Sequence, residues 1–338
     1  MRGDTPGPPA APVLPVASSV IAPVALCDWA NVHLAEGRFV ACRLFRSGMN
    51  DTYLLQGTVQ PSILRVYRYG WRSLDDIGYE LDLLRRLAAA GVSVAQPIAA
   101  RDGRDVHLLA APEGVRPAVH FRHAPGSVPP GDDRHAARLG SALADLHNAC
   151  DGFRSAHRRF RLDLDTLLWR PLTVVTRALA HRPADTAFLT GLATQLGERI
   201  AALAPRLDSG PIHGDVYPGN AHITPEGHLT WFDFDLCGEG WRAYDLAVFR
   251  MNVRLSTWPD LWPAFLEAYR ERRVLSPADL TAIPALVAVR DLWHLGFHLG
   301  NVVAGRECWW LDEAYLDRRL QAMRSWAAGE LGLPESPS

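Results

Sequence analysis

A chain of 338 residues, 48% hydrophobic and 21% charged, has the composition of a soluble globular protein that can bury a sizeable core and is long for one domain. A net charge of −2 gives no ground for a nucleic-acid or membrane partner, and no uninterrupted apolar run reaches the roughly 18 residues of a membrane span. All 35 basic residues are arginine, and the five cysteines (Cys27, Cys42, Cys150, Cys237, Cys308) form no C-x-x-C, which argues against a zinc site or a disulfide framework and for free thiols in a reducing, cytoplasmic setting.

Residues 1–27 are rich in Pro and Ala, with Pro12, Pro15 and Pro23 breaking the apolar run, and are expected to form a disordered tail. Three β-rich runs follow at 38–45, 51–58 and 62–69, most simply an antiparallel meander, and the first connection, SGMND (47–51), reads alone as a hairpin turn. A helix is expected next, because Ile77, Leu81, Leu84 and Ala88 share one face, Ser73 and Asp76 form a start signal and Gly91 a stop. Runs at 96–100, 105–111 and 118–122, with a turn at Asp102-Gly103, complete the β-rich lobe. The Pro- and Gly-dense HAPGSVPPGDD (123–133) marks a boundary.

Beyond it, 134–148 is an amphipathic helix carrying Ala137, Leu139, Leu143 and Leu146, and 160–207 is helical in pattern without chemistry-bearing groups. Three more helices are expected at 258–272, 277–304 and 309–326, where the density of tryptophan reads first as core. His294 and His298 stand four apart without the Glu of a zinc helix. Charge is uneven along the chain. Residues 1–131 hold 13 Arg against 11 acids, whereas 210–338 hold 11 Arg against 17, an acidic half that favours a cationic small substrate.

The chemistry concentrates in 212–235, IHGDVYPGNAHITPEGHLTWFDFD. Asp215 follows His-Gly, Asn220 lies five residues on, and Asp233 comes thirteen after that at the end of a β-prone run. Phosphoryl transfer needs little covalent help from a protein, only a carboxylate at the acceptor hydroxyl and oxygens for Mg²⁺, and these three residues supply them in that order. Short strands at 221–224 and 229–234 around Pro225-Glu226-Gly227 would return Asp233 to the loop.

This stretch, with GWRAYDLAVF (240–249) after it, resembles the catalytic segment of the aminoglycoside phosphotransferase and choline kinase superfamily, small-molecule relatives of the protein kinases. The resemblance covers about residues 28–326. It implies an α+β, protein-kinase-like bilobal fold: a nucleotide-binding lobe (28–123) with a five-stranded antiparallel sheet and a helix, a hinge (124–131), and a mainly helical catalytic and acceptor-binding lobe (132–330). It further implies Asp215 as the residue that orients and deprotonates the acceptor hydroxyl, Asn220 and Asp233 as Mg²⁺ ligands, and Asp245 as an anchor of the catalytic loop.

By the same resemblance, Ser47 and Gly48 lie in the loop over the ATP phosphates, and Phe121, His123 and Ala124 offer backbone to the adenine. Arg65 stands where the family usually has a phosphate-contacting lysine, and Glu80 is its helix partner. His294, His298, Asn301, Glu307 and Asp312 are the polar groups available to the acceptor pocket. His147 reads as a packed or capping histidine. Asp235 departs from the family pattern and reads either as support for the metal ligands or as a turn cap. The implied activity is ATP-dependent phosphorylation of a small-molecule hydroxyl. The alternatives are a catalytically silent kinase-fold binding protein, favoured by Arg65, and a protein kinase, disfavoured by His-Gly-Asp and by the missing A-P-E segment.

Overall fold

The computed structural model describes residues 14–303 and 310–333. In chain order its elements are α1 (Pro23–His33), β1 (Phe39–Ser47), β2 (Asp51–Gly57), β3 (Ser62–Val66), α2 (Leu74–Ala89), β4 (Val106–Ala111), β5 (Gly114–Arg122) and α3 (Asp133–Ala149). There follow β6 (Arg161–Leu162), α4 (Arg170–Ala178), α5 (Pro183–Leu203), β7 (Ser209–Ile212), β8 (Ala221–Ile223), β9 (Leu229–Trp231), β10 (Gly238–Trp241), α6 (Arg242–Arg254), α7 (Trp262–Arg270), α8 (Pro277–Val303) and α9 (Glu313–Leu331). Among the described residues no helix is long and apolar enough to cross a membrane.

β1 to β5 form one antiparallel sheet in the order β1-β2-β3-β5-β4. Strand alternation sorts its residues between two faces. Leu64 and Val66 join Tyr53, Leu55 and Ala118 under α1, whereas Arg65 between them turns to the opposite face and α2. The helix starts on the expected signal, since the Ser73 side chain and the Asp76 carboxylate each bond the other's backbone N–H in a capping box.

The expected tail is corrected from residue 19 onward. The Ser19 hydroxyl donates to Glu113 at 2.7 Å, Arg116 donates to the Ser19 carbonyl at 2.8 Å, and the Tyr53 hydroxyl donates to the Ile21 carbonyl at 2.9 Å. Pro23, counted as a breaker, stands in the first turn of α1, where a missing N–H costs nothing, and Leu26 and Ala30 then cover the outer sheet face. Residues 1–13 lie outside the described residues. The run 96–100 is not a strand either: Pro97 and Ala100 make single bridges, to Phe121 and Leu34, because Pro97 has no N–H for a continuous ladder.

Helices α3 to α9 pack into the larger hydrophobic core around two small sheets. One has the order β6-β10-β7, its short strand β6 lying inside a stretch that reads as helical. The other is the β8–β9 hairpin, tied to the first lobe through Trp231, whose N–H donates to the Ser93 carbonyl at 3.0 Å and whose carbonyl accepts from Ala95 at 2.9 Å. Residues 123–132 connect β5 to α3, and Ser127 exchanges backbone bonds with Ile223 on β8 at 2.8 and 3.1 Å. The crossing segment and the β8–β9 hairpin are therefore held together.

Candidate active site

A cavity of about 970 Å³ opens between the five-stranded sheet and the helical region, with Asp215, Arg65, Glu80, Asp233 and Asp235 in its wall. The loop that carries Asp215 is braced from below. Asp245 on α6, fully buried, accepts from the backbone N–H of His213 at 2.8 Å and of Gly214 at 2.7 Å. His147 steadies that carboxylate at 3.0 Å and bonds the Tyr269 hydroxyl through its other nitrogen, as a packed histidine. Gly214 has φ +80°, and a Cβ there would meet the Leu236 carbonyl oxygen at 2.2 Å, so only glycine permits the turn that lifts Asp215 into the cleft.

Asn220 is buried behind Asp215 and donates its amide to the Asp215 carbonyl at 2.9 Å and carboxylate at 2.8 Å. Those two acceptors fix the amide orientation, because the flipped form would set oxygen against oxygen. Its Oδ1 is then buried with no hydrogen-bond partner. A buried carbonyl oxygen costs free energy unless something electropositive meets it, so this atom suits a hard cation.

Asp233 arrives through the hairpin. The Phe232 N–H donates to the Asn220 carbonyl at 3.0 Å, and Asp233 follows in the left-handed region at φ 64°, the only such non-glycine among the described residues. Such strain persists where the surroundings over-determine it, often at functional sites. Two-fifths of the Asp233 side chain reaches solvent in the cleft. Desolvation by the cleft walls, aided by Asp235, Asp215 and Glu80 against the opposing Arg65, still raises its carboxyl pKa, and a bound cation would reverse that shift. Mg²⁺ fits this pair, since it keeps several waters and phosphate oxygens and needs few protein ligands. Among the described residues no three His, Cys, Asp or Glu side chains converge as a metal site.

Arg65 and Glu80 meet. The guanidinium donates to Glu80 at 2.6 Å and reaches Asp233 at 3.3 Å, and it lies 4.9 Å from the ring centre of Phe121. Burial opposes its charge, but Glu80, Tyr67 and Asp233 outweigh that and hold its pKa well above the ordinary value. Tyr67, unremarked in the sequence, donates its hydroxyl to the other Glu80 oxygen at 2.9 Å. Asp235 accepts from the Trp71 indole at 2.8 Å and from Arg72 at 2.9 Å; burial works against its charge, but the Arg72 and Arg65 guanidiniums and the indole hydrogen bond hold its pKa below the usual carboxylate range. It therefore braces the approach to α2 from beside Asp233, and the turn-cap reading is dropped.

Ser47, Gly48, Phe121, His123 and Ala124 also line the cavity. The Ser47 hydroxyl donates to Asp51 at 2.8 Å, and Asp51 is paired with Arg116 at 2.7 Å, which ties the β1–β2 turn to the buried sheet. The Ala124 carbonyl accepts from His222 at 2.8 Å.

Trp71, Trp293, His294, Phe297, His298 and Trp310 also line the cavity. Burial first, then neighbouring cations, depresses both histidines, with His298 pushed down to about 4, so both are neutral near pH 7. Asp312 is not in the cavity. Its side chain accepts from the Tyr315 N–H at 2.8 Å and caps α9, which is why that helix starts at Glu313 and not at 309. The side chain of Asn301 and the whole of Glu307 lie outside the described residues.

The residue missed in the sequence is Arg290 on α8, buried and paired with the Asp215 carboxylate. Its signal is a charge inside the apolar run ALVAVRDLW (285–293), since arginine is almost never buried unless paired.

The model of the phosphotransferase enzyme family (APH) matches residues 41–282. A homoserine kinase of Rhodospirillum rubrum is 34% identical over 264 residues, which cover 74% of this chain and 77% of that one. The structure of a microcompartment-associated aminopropanol kinase aligns with a TM-score of 0.70 and 27% identity over 90% of this chain and 94% of its own. That of an amicoumacin kinase in complex with AMP-PNP, Ca²⁺ and Ami aligns with a TM-score of 0.70 and 21% identity over 89% and 92%. With a family match across most of the chain and a protein-kinase-like bilobal architecture, this chain belongs to the phosphotransferase enzyme family and is a phosphotransferase with an alcohol group as acceptor.

Proposed function

We propose that the protein transfers the γ-phosphoryl group of ATP, with Mg²⁺, to the hydroxyl of a small amino alcohol or hydroxyamino acid. The observation that supports this reading is that Asp215 and Asp233 line one cleft together with the Arg65–Glu80 pair, while Asn220, its Oδ1 unpartnered, is bonded to Asp215 from behind. Asp215 would hold the acceptor hydroxyl and take its proton as the oxygen attacks. Asn220 and Asp233 would hold Mg²⁺, which when bound neutralises charge on the phosphates. Arg65 would steady the phosphates from the sheet side, with a guanidinium fork in place of an ammonium. The adenine would lie between Ile63, Leu84, Ala95 and the backbone of 121–124.

The acceptor class rests on the homoserine and aminopropanol kinases among the relatives. It is supported by the aromatic residues Trp71, Trp293, Phe297 and Trp310 in the cavity wall, since ring faces attract an ammonium group. The test is a panel of hydroxylated amines, amino acids and antibiotics assayed for ATP consumption, together with an Asp215→Ala variant. Turnover of at least one acceptor is expected, lost by about 10²- to 10⁴-fold in Asp215→Ala while Mg·ATP still raises the melting temperature. An Asp215→Ala enzyme with wild-type kcat would overturn the assignment. Stabilisation by Mg·ATP without turnover of any acceptor would identify a silent binding protein instead.

A further inference from the structure

We infer that Arg290 is the positioning residue of the catalytic carboxylate, fixing from α8 which oxygen lone pairs of Asp215 face the acceptor hydroxyl. This rests on the reading of Asp215 as the acceptor-orienting group and adds a residue that the catalytic motif does not contain. One guanidinium nitrogen donates to Asp215 Oδ1, and another lies 3.3 Å from the Gly214 carbonyl and 3.5 Å from the Tyr244 hydroxyl. The planar fork thus holds both the side chain of Asp215 and the main chain one residue before it, so rotation of the carboxylate would break a contact. Trp293 packs against the fork, its ring centre 4.3 Å from the guanidinium carbon.

The second carboxylate oxygen is held from the opposite side. Asn220 donates to Asp215 Oδ2 at 2.8 Å, so each oxygen has one fixed donor and keeps further accepting capacity for a hydroxyl. In-line phosphoryl transfer draws its rate from positioning, and a misplacement of about 1 Å can cost on the order of a hundredfold. Two donors, one per oxygen, supply that positioning before any substrate binds.

The arrangement has a cost that packing alone does not explain. Arg290 is only 3% exposed, and its Nε is buried without a partner. An unbranched apolar side chain could occupy this place in α8 without that penalty. Neighbouring Asp291 offers Arg290 no alternative partner: its carboxylate is taken by Arg254 at 2.7 Å and by Arg319. Asp215 is therefore the one carboxylate that this buried cation serves among the described residues.

The test compares wild type, Arg290→Met, Arg290→Lys, Asp215→Ala and the Arg290→Met/Asp215→Ala double variant in the full chain. Measured are kcat and KM with homoserine and with aminopropanol, the Mg·ATP-induced thermal shift, and crystal structures of wild type and Arg290→Met. Arg290→Met is expected to lower kcat by about a hundredfold with the KM for ATP and the thermal shift unchanged within about threefold, and to release the Asp215 carboxylate from its orientation. Arg290→Lys is expected to restore part of kcat, and Arg290→Met to cost nothing further once Asp215 is alanine.

A near wild-type kcat in Arg290→Met, or an equal loss on top of Asp215→Ala, would overturn the inference. If neither acceptor is turned over, an unmoved Asp215 in the Arg290→Met crystal overturns it by itself. Full activity in Asp215→Ala would instead defeat the underlying reading of the site.

Discussion

Replacing Arg65 by alanine removes the cation of a pair whose side chains are 10% and 0% exposed and whose charged atoms lie 2.6 Å apart. Among the described residues, Glu80 would then be buried with only the Tyr67 hydroxyl as partner. Breaking a buried pair from one side costs about 3–5 kcal/mol of stability, so urea unfolding should report a loss of that size. The nucleotide effect is separate: charge-assisted hydrogen bonds of about 1.5–3 kcal/mol correspond to roughly a tenfold to hundredfold loss in kcat/KM for ATP. Arg65→Lys should recover part of this, because charge survives while the fork is lost. Adding Glu80→Ala to Arg65→Ala should restore stability by more than about 0.5 kcal/mol over the additive expectation, since one interaction cannot be lost twice. Strictly additive stabilities, or an Arg65→Ala enzyme with unchanged kcat and KM for ATP, would show that Arg65 is neither Glu80's essential partner nor part of the nucleotide site.

Asn220→Ala and Asp233→Ala should both raise the Mg²⁺ concentration for half-maximal activity, with Asp233→Ala the more severe because a charge leaves with the oxygen; unchanged Mg²⁺ midpoints in both would remove these residues as ligands. Asp235→Asn should shift that midpoint less than Asp233→Asn and should lower the melting temperature, because Arg72 and Trp71 lose an anionic partner. His120 is buried, and desolvation pushes its pKa down to about 4 from an ordinary value of 6.5. The unfolded chain therefore takes up this proton first, so the contribution of His120 is full above pH 6.5 and is lost as pH falls towards 4, with a slope of up to about 1.4 kcal/mol per pH unit. Urea unfolding of a His120→Gln variant should show a shallower decline across that window, and parallel curves would refute the assignment.

What the sequence determines by itself is short-range. Asp215, Asn220 and Asp233 lie within one loop and hairpin, so their spacing already keeps them in one short segment, and α2 begins where Ser73 and Asp76 cap it because a capping box closes over three residues. Arg65 and Glu80 are 15 residues apart, and their pairing follows once a strand face and a helix face are known.

Tertiary structure decided the rest. The same Pro-rich composition suits a tail or the start of a docked helix, and α1 exists as a helix laid on the sheet because the outer face needs Leu26 and Ala30. An aspartate near the C-terminus suits a pocket or a cap, and Asp312 is a cap because α9 begins there. Arg290 announces, as a charge in an apolar helix, that it must be paired, yet its partner lies 75 residues earlier in the chain. Burial demands a counter-charge without naming one, and only the packing of α8 under the catalytic loop selects Asp215.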